Sequence, residues 1–310
     1  VAVGTNALDA NDTAIRNIAI GRDAGGALNS GGYNVAIGTD ALKTATTTTA
    51  NVAVGDQALE DTTGEQNTAI GSHVLRENIG GNGNVGLGYY SLGNATTGSY
   101  NVAIGYTTMN NAAVTGTYNI ALGFEAMRAA TSGSENICMG RDAGHDLTSA
   151  NQNVAIGHES MTKNQTATGN VCIGFQAGEN VTGGGNVFIG YKAGEALEGG
   201  VYNIMIGDAT AGTHPSHSSA IAIGQNISAA PGEVAFGTSG LGRIASPFNS
   251  SVSWSGGSDE RLKQNITDSA LGLDFINDLR PVTFKWKPNN ELPETFSSYQ
   301  KDNEKDTETI

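Results

Sequence analysis

A phrase of five residues recurs along most of this chain at a nearly constant distance. It consists of Asn, a β-branched residue, Ala, Ile or Val, and Gly, and clear copies are Asn34–Gly38, Asn101–Gly105 and Asn153–Gly157. The closing glycines lie 16 to 18 residues apart from Gly4 to Gly224, and a fifteenth follows 13 residues later at Gly237. Such regular self-similarity is the mark of a repeat architecture, so it constrains the fold more than any single motif.

The length of the repeat predicts a β-solenoid. About seventeen residues are too few for a helical repeat or a propeller blade, whose periods are about 33 to 50 residues. They suit one coil that contains a short strand, a turn and a polar return segment. We therefore predict an all-β fold for residues 1–237, a solenoid (parallel β-roll) of about fifteen coils.

The alternation of large and small side chains in the phrase predicts its two faces. Val35 and Ile37 share one face of the strand and Ala36 lies on the other, because successive side chains point to opposite sides. Buried strand faces favour β-branched residues, so we expect the large side chains inside the coil. The face of Ala and Gly would then be nearly bare backbone, which predicts that several chains share an axis along it.

The Asn that opens the phrase has two compatible interpretations. It is present in twelve copies from Asn17 to Asn203. It is typical of a turn residue that accepts a left-handed backbone or forms an Asx-turn. It also suits a ladder in which each Asn bonds to the coil above. Both roles are structural.

The two cysteines test the coil geometry. Cys138 and Cys172 both occupy the small position of the phrase and are separated by two coils. That separation is about 9.6 Å at the usual strand spacing. Since a disulfide needs Cα atoms within about 7 Å, we predict that the two thiols are not bridged.

Composition and motifs argue against several classes of function. The net charge of −14 argues against nucleic acid as a partner, and no apolar run is long enough to insert into a membrane. Gly81–Gly86 fits a dinucleotide-binding pattern but lacks the βαβ context. The five histidines show no metal-ligand spacing. We therefore expect no cofactor and no metal.

The repeat stops after Gly237, and the composition changes near residue 258. Of the 44 glycines, 43 lie in residues 1–258, whereas 18 of the 46 charged residues lie in residues 259–310. Residues 238–257 are rich in Ser and Gly and are predicted to be a linker. Residues 258–310 combine a helix-like spacing with a strand-like alternation at 282–286, which predicts a short α+β segment. On physical grounds alone, Ser258 suits a helix N-cap.

The C-terminal segment resembles a known family. Ser-Asp-Glu-Arg-Leu-Lys-Gln-Asn-Ile from Ser258, followed by Leu-Gly-Leu-Asp-Phe-Ile-Asn-Asp-Leu-Arg-Pro-Val-Thr-Phe-Lys-Trp, resembles the opening of the S74-type intramolecular chaperone of phage tail fibres and tailspikes. The resemblance implies a trimerising chaperone that cuts itself off at the Ser258–Asp259 bond. Ser258 would supply the hydroxyl and Lys263 its base, which requires desolvation to lower the pKa of the lysine. Such a cleavage is a single-turnover event.

Residues 1–237 resemble the head repeats of YadA-like trimeric adhesins, which are left-handed parallel β-rolls. Together the resemblances imply a homotrimeric viral tail fibre, part of the virion and extracellular, that attaches to a glycan or outer-membrane receptor on a host surface. The alternatives are a bacterial trimeric autotransporter-like adhesin on the cell surface, a glycan-degrading tailspike and an ice-binding solenoid.

Overall fold

The chain forms an all-β parallel solenoid, as the repeat predicts. A computed structural model describes residues 1–111 and 113–247, which wind through about 14 turns and contain no helix. Fifteen parallel strands, one for each copy of the phrase, are joined by these turns in a single sheet. The chain divides into two compact units, Val1–Ser255 and Gly256–Ile310, and the solenoid lies in the first.

Within the described residues, sixteen strands form the main sheet, in chain order, and two short strands pair in a second sheet. The strands of the main sheet are β1 (Ala2–Val3), β2 (Ile18–Ile20), β3 (Val35–Ile37), β4 (Val52–Val54), β5 (Thr68–Ile70), β6 (Val85–Leu87), β7 (Val102–Ile104), β8 (Ile120–Leu122), β9 (Ile137–Met139), β10 (Val154–Ile156), β11 (Val171–Ile173), β12 (Val187–Ile189), β13 (Ile204–Ile206), β15 (Ile221–Gln225), β17 (Glu233–Thr238) and β18 (Gly242–Pro247). The second sheet consists of β14 (Ala211–Gly212) and β16 (Ser228–Ala229).

The phrase of one coil lies directly over the phrase of the next. Val35 pairs with Val52, and Ala36 pairs with Ala53. The same register joins β4 to β5, although only 16 residues separate their phrases. Variation in coil length is therefore absorbed outside the strand, and equivalent positions of successive coils form columns along the solenoid.

The prediction of which strand face is buried was wrong. The small middle position of the phrase faces the interior, where Ala36, Ala103 and Ala155 are fully buried. The large flanking residues point outward, and Ile18 and Ile20 are each 40% exposed. The Ala/Gly face, along which we expected chains to share an axis, is therefore not available to other chains, because it already lines the core of each coil.

The narrow interior explains this arrangement. The fourth residue after the phrase glycine has a positive φ, between +49° and +53° where it is Leu or Met, and its side chain fills the core. These core residues are Leu42, Leu59, Leu75, Leu92, Met109, Met127 and Met161. A long side chain that faces the strand across a single coil leaves room for little more than a methyl group opposite it, since protein interiors are close-packed.

Coils that lack this Leu or Met fill the same space from another position. Where the fourth residue is Gly, the seventh is a buried Leu or Val, as in the pair Gly144 and Leu147. A Cβ atom on Gly144 would lie 2.6 Å from Cδ1 of Leu147. Near Gly178 and Gly194 the strand itself carries a large residue, Phe188, which is also buried. The interior is thus filled in these coils as well, although the residue that fills it changes.

The two cysteines lie where the coil geometry predicts. Cys138 and Cys172 are on opposite sides of Ala155 in the sheet, so two coil steps separate them. Both thiols are free and fully buried. Burial raises the pKa of each thiol, because a thiolate is poorly solvated in the core. The two residues act as small apolar fillers.

The phrase asparagines form a continuous buried ladder. Asn34 donates its backbone N–H to Oδ1 of Asn17 at 2.9 Å and its side-chain Nδ2 to the carbonyl of Thr48 at 2.8 Å. Its own Oδ1 accepts the backbone N–H of Asn51 at 3.0 Å. The ladder interpretation is confirmed. The left-handed residue is the one before the Asn, such as Tyr33, rather than the Asn itself.

Replacing one Asn of the ladder should be costly. In Asn101→Ala, the N–H of Asn119 and the carbonyl of Gly116 lose their side-chain partner inside the protein. Each buried polar group without a partner costs about 1–3 kcal/mol, so we expect the free energy of unfolding to fall by about 2–4 kcal/mol. Urea denaturation measures it, with the exposed Asn29→Ala as the matched control. Equal losses in both variants would contradict the ladder's role.

The phrase glycines allow neighbouring coils to pack at a sharp corner. All fifteen have φ between +121° and +145°, a region that other residues rarely adopt. A Cβ atom on Gly105 would lie 2.3 Å from the carbonyl oxygen of Gly123 in the next coil. The requirement for Gly is therefore set by both the backbone angle and the adjacent coil.

A pair of Gly→Ala variants tests this requirement. Gly105→Ala should lower the free energy of unfolding by about 3 kcal/mol or more, because a strained φ is added to a backbone clash. Gly199→Ala should change it by less than about 1 kcal/mol, since no atom lies within 4 Å of the added Cβ. Thermal or urea unfolding compares the two. Similar stabilities would show that the corner tolerates a side chain.

The parallel winding ends in a strand of opposite direction. β18 pairs antiparallel with β17, with Ala245 opposite Ala235. Residues 242–247 therefore belong to the sheet, although they fall in the segment 238–257 that the sequence predicts as a linker. An antiparallel strand does not continue the solenoid, so β18 covers the last parallel strand. The remainder of the predicted linker lies outside the described residues.

Candidate functional site

The outer face of the main sheet is a continuous apolar surface. We call it the outer stripe, and it consists of the first and third residues of strands β2 to β13 and their equivalents in β15. Its members are Ile18, Ile20, Val35, Ile37, Val52, Val54, Thr68, Ile70, Val85, Leu87, Val102, Ile104, Ile120, Leu122, Ile137, Met139, Val154, Ile156, Val171, Ile173, Val187, Ile189, Ile204, Ile206, Ile221 and Ile223. Thr68 alone among them is polar.

The size of the outer stripe points to a protein partner. Each strand of three residues is about 10 Å long, and thirteen strands at a spacing of about 4.8 Å cover roughly 600 Å². Soluble monomers rarely expose an unbroken apolar patch of this size. Side chains along the stripe are partly exposed, and Ile70, Leu87 and Met139 reach 40% each. The surface therefore suits contact with another apolar face.

Stacked aromatic rings run along the solenoid beside the phrase. Tyr89, Tyr106 and Phe124 each follow a phrase glycine, and their ring centroids are 5.3 and 5.4 Å apart. Tyr100 and Tyr118 precede a phrase Asn and stack at 5.2 Å. Because neighbouring rings cover one another's faces, these ladders help to hold adjacent coils together.

The turn after the phrase builds a groove between two columns of side chains. One column is the second residue after the phrase glycine, which is left-handed in Glu125, Asp142, Glu159 and Gln176. The other is the fifth residue after it. Over three coils, this turn groove has a volume of about 440 Å³ and is lined by Asp142, His145, Glu159, Thr162, Gln176 and Glu179. The equivalent positions of the first coils line a similar groove.

The turn groove collects groups that the sequence keeps far apart. The ligand atoms of Glu125, Asp142 and His145 lie within 4.8 Å of one another. The spacing of the histidines gave no sign of this cluster, because Glu125 comes from the coil before Asp142 and His145. The signal that could have indicated it is the recurrence of carboxylates at one position of the repeat, a pattern that is also typical of solvated turns.

The predicted cleavage residues lie outside the described part of the chain. Ser258, Asp259 and Lys263 all follow residue 247, so the Ser/Lys dyad stays a prediction. The repeat residues that we singled out, such as Asn153 and Gly157, lie in the ladder and at the corner as described above. Among residues 1–111 and 113–247 no helix could serve as a membrane span.

Comparison with known proteins finds a match for the C-terminal segment. Residues 258–307 match the family model Peptidase_S74, described as chaperone of endosialidase. The match begins at Ser258, where the sequence changes composition, and covers 50 of the 310 residues. No curated protein and no solved structure matches the chain. A parallel β-solenoid followed by a match to the chaperone of endosialidase fits a tail fibre with a C-terminal chaperone domain.

Proposed function

We propose that this chain is a rod segment of a viral tail fibre, assembled as a homotrimer and used for attachment to a host-surface receptor. The observation that carries the proposal is the outer stripe, an apolar surface that runs along the solenoid. The match to a chaperone family at residues 258–307 supports it, because a trimerising chaperone implies a trimeric product. In this proposal the fibre is extracellular, and its receptor is a glycan or an outer-membrane component.

The outer stripe is suited to copies of the same chain. Its composition repeats from coil to coil in a fixed register, so two copies can match along their whole length. About 600 Å² per chain is close to the roughly 800 Å² per partner that a stable interface buries. Closed rotational symmetry brings identical faces to one axis. The shared axis thus lies along Val and Ile, not along Ala and Gly.

Charges on the outer stripe should separate the chains. In Val102→Glu/Ile104→Glu, three chains would bring six carboxylates to one dry axis, and burial of unpaired charge is very costly. We expect light scattering to give three chains for the native rod and one chain for the variant. Thr97→Glu, on an exposed turn, should remain trimeric. A native rod with the mass of one chain would refute the shared axis.

The C-terminal segment should release itself after assembly. In the protein expressed from its full gene, intact mass should show the loss of all residues after Ser258. Ser258→Ala should stop this loss because the attacking hydroxyl is removed, and Lys263→Met should slow it because the base is removed. Ser269→Ala, in the same segment, serves as the control and should be cut normally. Uncut native protein would contradict the proposed processing.

A further inference from the structure

We propose that Glu125, Asp142 and His145 form a binding site for a divalent transition-metal ion of the zinc type. Asp142 and His145 line the turn groove, and Glu125 precedes Asp142 in the same column of the repeat. The ligand atoms of the three side chains lie within 4.8 Å of one another. Glu125 belongs to one coil, and Asp142 and His145 belong to the next. The site lies within one chain, so it does not depend on the proposed trimer or on cleavage.

The distances suit a small tetrahedral ion. Oε2 of Glu125 is 3.6 Å from Nε2 of His145. In a tetrahedral zinc site with bonds of about 2.0–2.1 Å, neighbouring ligand atoms are about 3.4 Å apart. One imidazole with two carboxylates is also a zinc-type ligand set, whereas Ca²⁺ and Mg²⁺ favour oxygen ligands alone. The pair of Glu125 and His145 is therefore already close to the separation that such an ion requires.

The orientation of His145 is a second, separate indication. Its Nδ1 lies 2.6 Å from Oδ1 of Asp146, which is outside the proposed ligand set. A carboxylate can only accept in this contact, so Nδ1 is the donor, and in the neutral imidazole the lone pair is then on Nε2. That lone pair is on the side of Glu125. A carboxylate that fixes the tautomer in this way is typical of metal-bound histidines.

The carboxylates of the groove repel one another without a cation. Glu125, Asp142 and Glu159 occupy the same column in three successive coils, and facing like charges are destabilising. Arg128 lies 3.7 Å from Oε2 of Glu125, and Arg141 lies 3.4 Å from Oδ2 of Asp142. Both arginine side chains are more than half exposed, so water weakens their effect. A divalent ion between the carboxylates would offset the repulsion directly.

In another coil, the equivalent positions hold an ion pair. Asp40 is equivalent to Asp142, and Lys43 is equivalent to His145. Nζ of Lys43 lies 3.3 Å from Oδ1 of Asp40, so this coil carries its own cation. His145 replaces that ammonium with a group that can ligate a metal. The change from Lys to His at this position of the repeat thus replaces a permanent positive charge with a potential metal ligand.

A neighbouring set of residues is less suitable. Asp142, His158 and Glu159 also lie within ligand distance of one another. However, Nε of Arg141 lies 2.8 Å from Nε2 of His158, so a guanidinium occupies the lone pair that a metal requires. The first set is therefore the better site. Its three protein ligands leave a fourth position for water.

Titration of the intact, chelator-treated rod with Zn²⁺ tests the site. Calorimetry should show one Zn²⁺ bound per chain, and Co²⁺ in its place should give the strong visible bands of a tetrahedral ion. His145→Lys reproduces the pair of Asp40 and Lys43, so it should fold normally and lose binding. Asp146→Asn should weaken binding by about 10–100-fold. His158→Gln, in the neighbouring set, should bind as the native rod does.

Thermal unfolding of the metal-free variants separates a folding defect from a loss of ligands. His145→Lys should unfold at or above the native temperature, because the lysine partly neutralises Asp142. Three results would overturn the proposal: no saturable Zn²⁺ binding by the native rod, undiminished binding by a folded His145→Lys variant, or loss of binding in His158→Gln instead. Since the stoichiometry is measured per chain, the result is independent of the rod's oligomeric state.

Discussion

The stacking of each coil on the next, in one fixed register, is the constraint on which this structure depends. A coil of about seventeen residues is too small to have a core of its own, so its polar backbone must be satisfied by its neighbours. The buried Asn ladder does this at one corner, where each Oδ1 accepts an N–H from the following coil and nearly every Nδ2 donates to a backbone carbonyl. At the next corner the phrase glycines let adjacent coils approach closely, because only a hydrogen atom leaves room for the neighbouring backbone. Because both contacts recur in most coils, a defect in one coil affects the pairing of its two neighbours.

The narrow interior of the coil also determines which residues are exposed on the surface of the protein. In most coils Leu or Met from the turn fills the interior, so the strand contributes only a small residue there. The large β-branched residues, which favour the extended backbone, must then point outward. A strand that is apolar on both faces is typical of a parallel sheet covered on both sides. In this protein one cover is the coil itself, and the proposed second cover is another copy of the chain.

Fixed register converts positions in the repeat into columns in space. Aromatic residues in one column stack as rings, and acidic residues in another column collect in the turn groove. Chemistry on such a solenoid is therefore created by changing the residue at one position in a few successive coils. The difference between Lys43 and His145 is an example, because the same place holds an ion pair in one coil and an acid/imidazole cluster in another. This explains how a structural repeat can carry a local site without altering its fold.

The sequence alone determined the repeat, its strand, the Asn ladder, the two-coil separation of Cys138 and Cys172, and the start of the chaperone-like segment at Ser258. These follow from spacing and residue type, which do not depend on how the chain closes in space. Only the tertiary structure decided which face of the strand is inside. Alternation distinguishes two faces, but it does not say which of them borders the narrow interior of the coil. It also placed β18 in the sheet and brought Glu125 beside His145. These depend on contacts between residues distant in sequence, which local patterns do not encode.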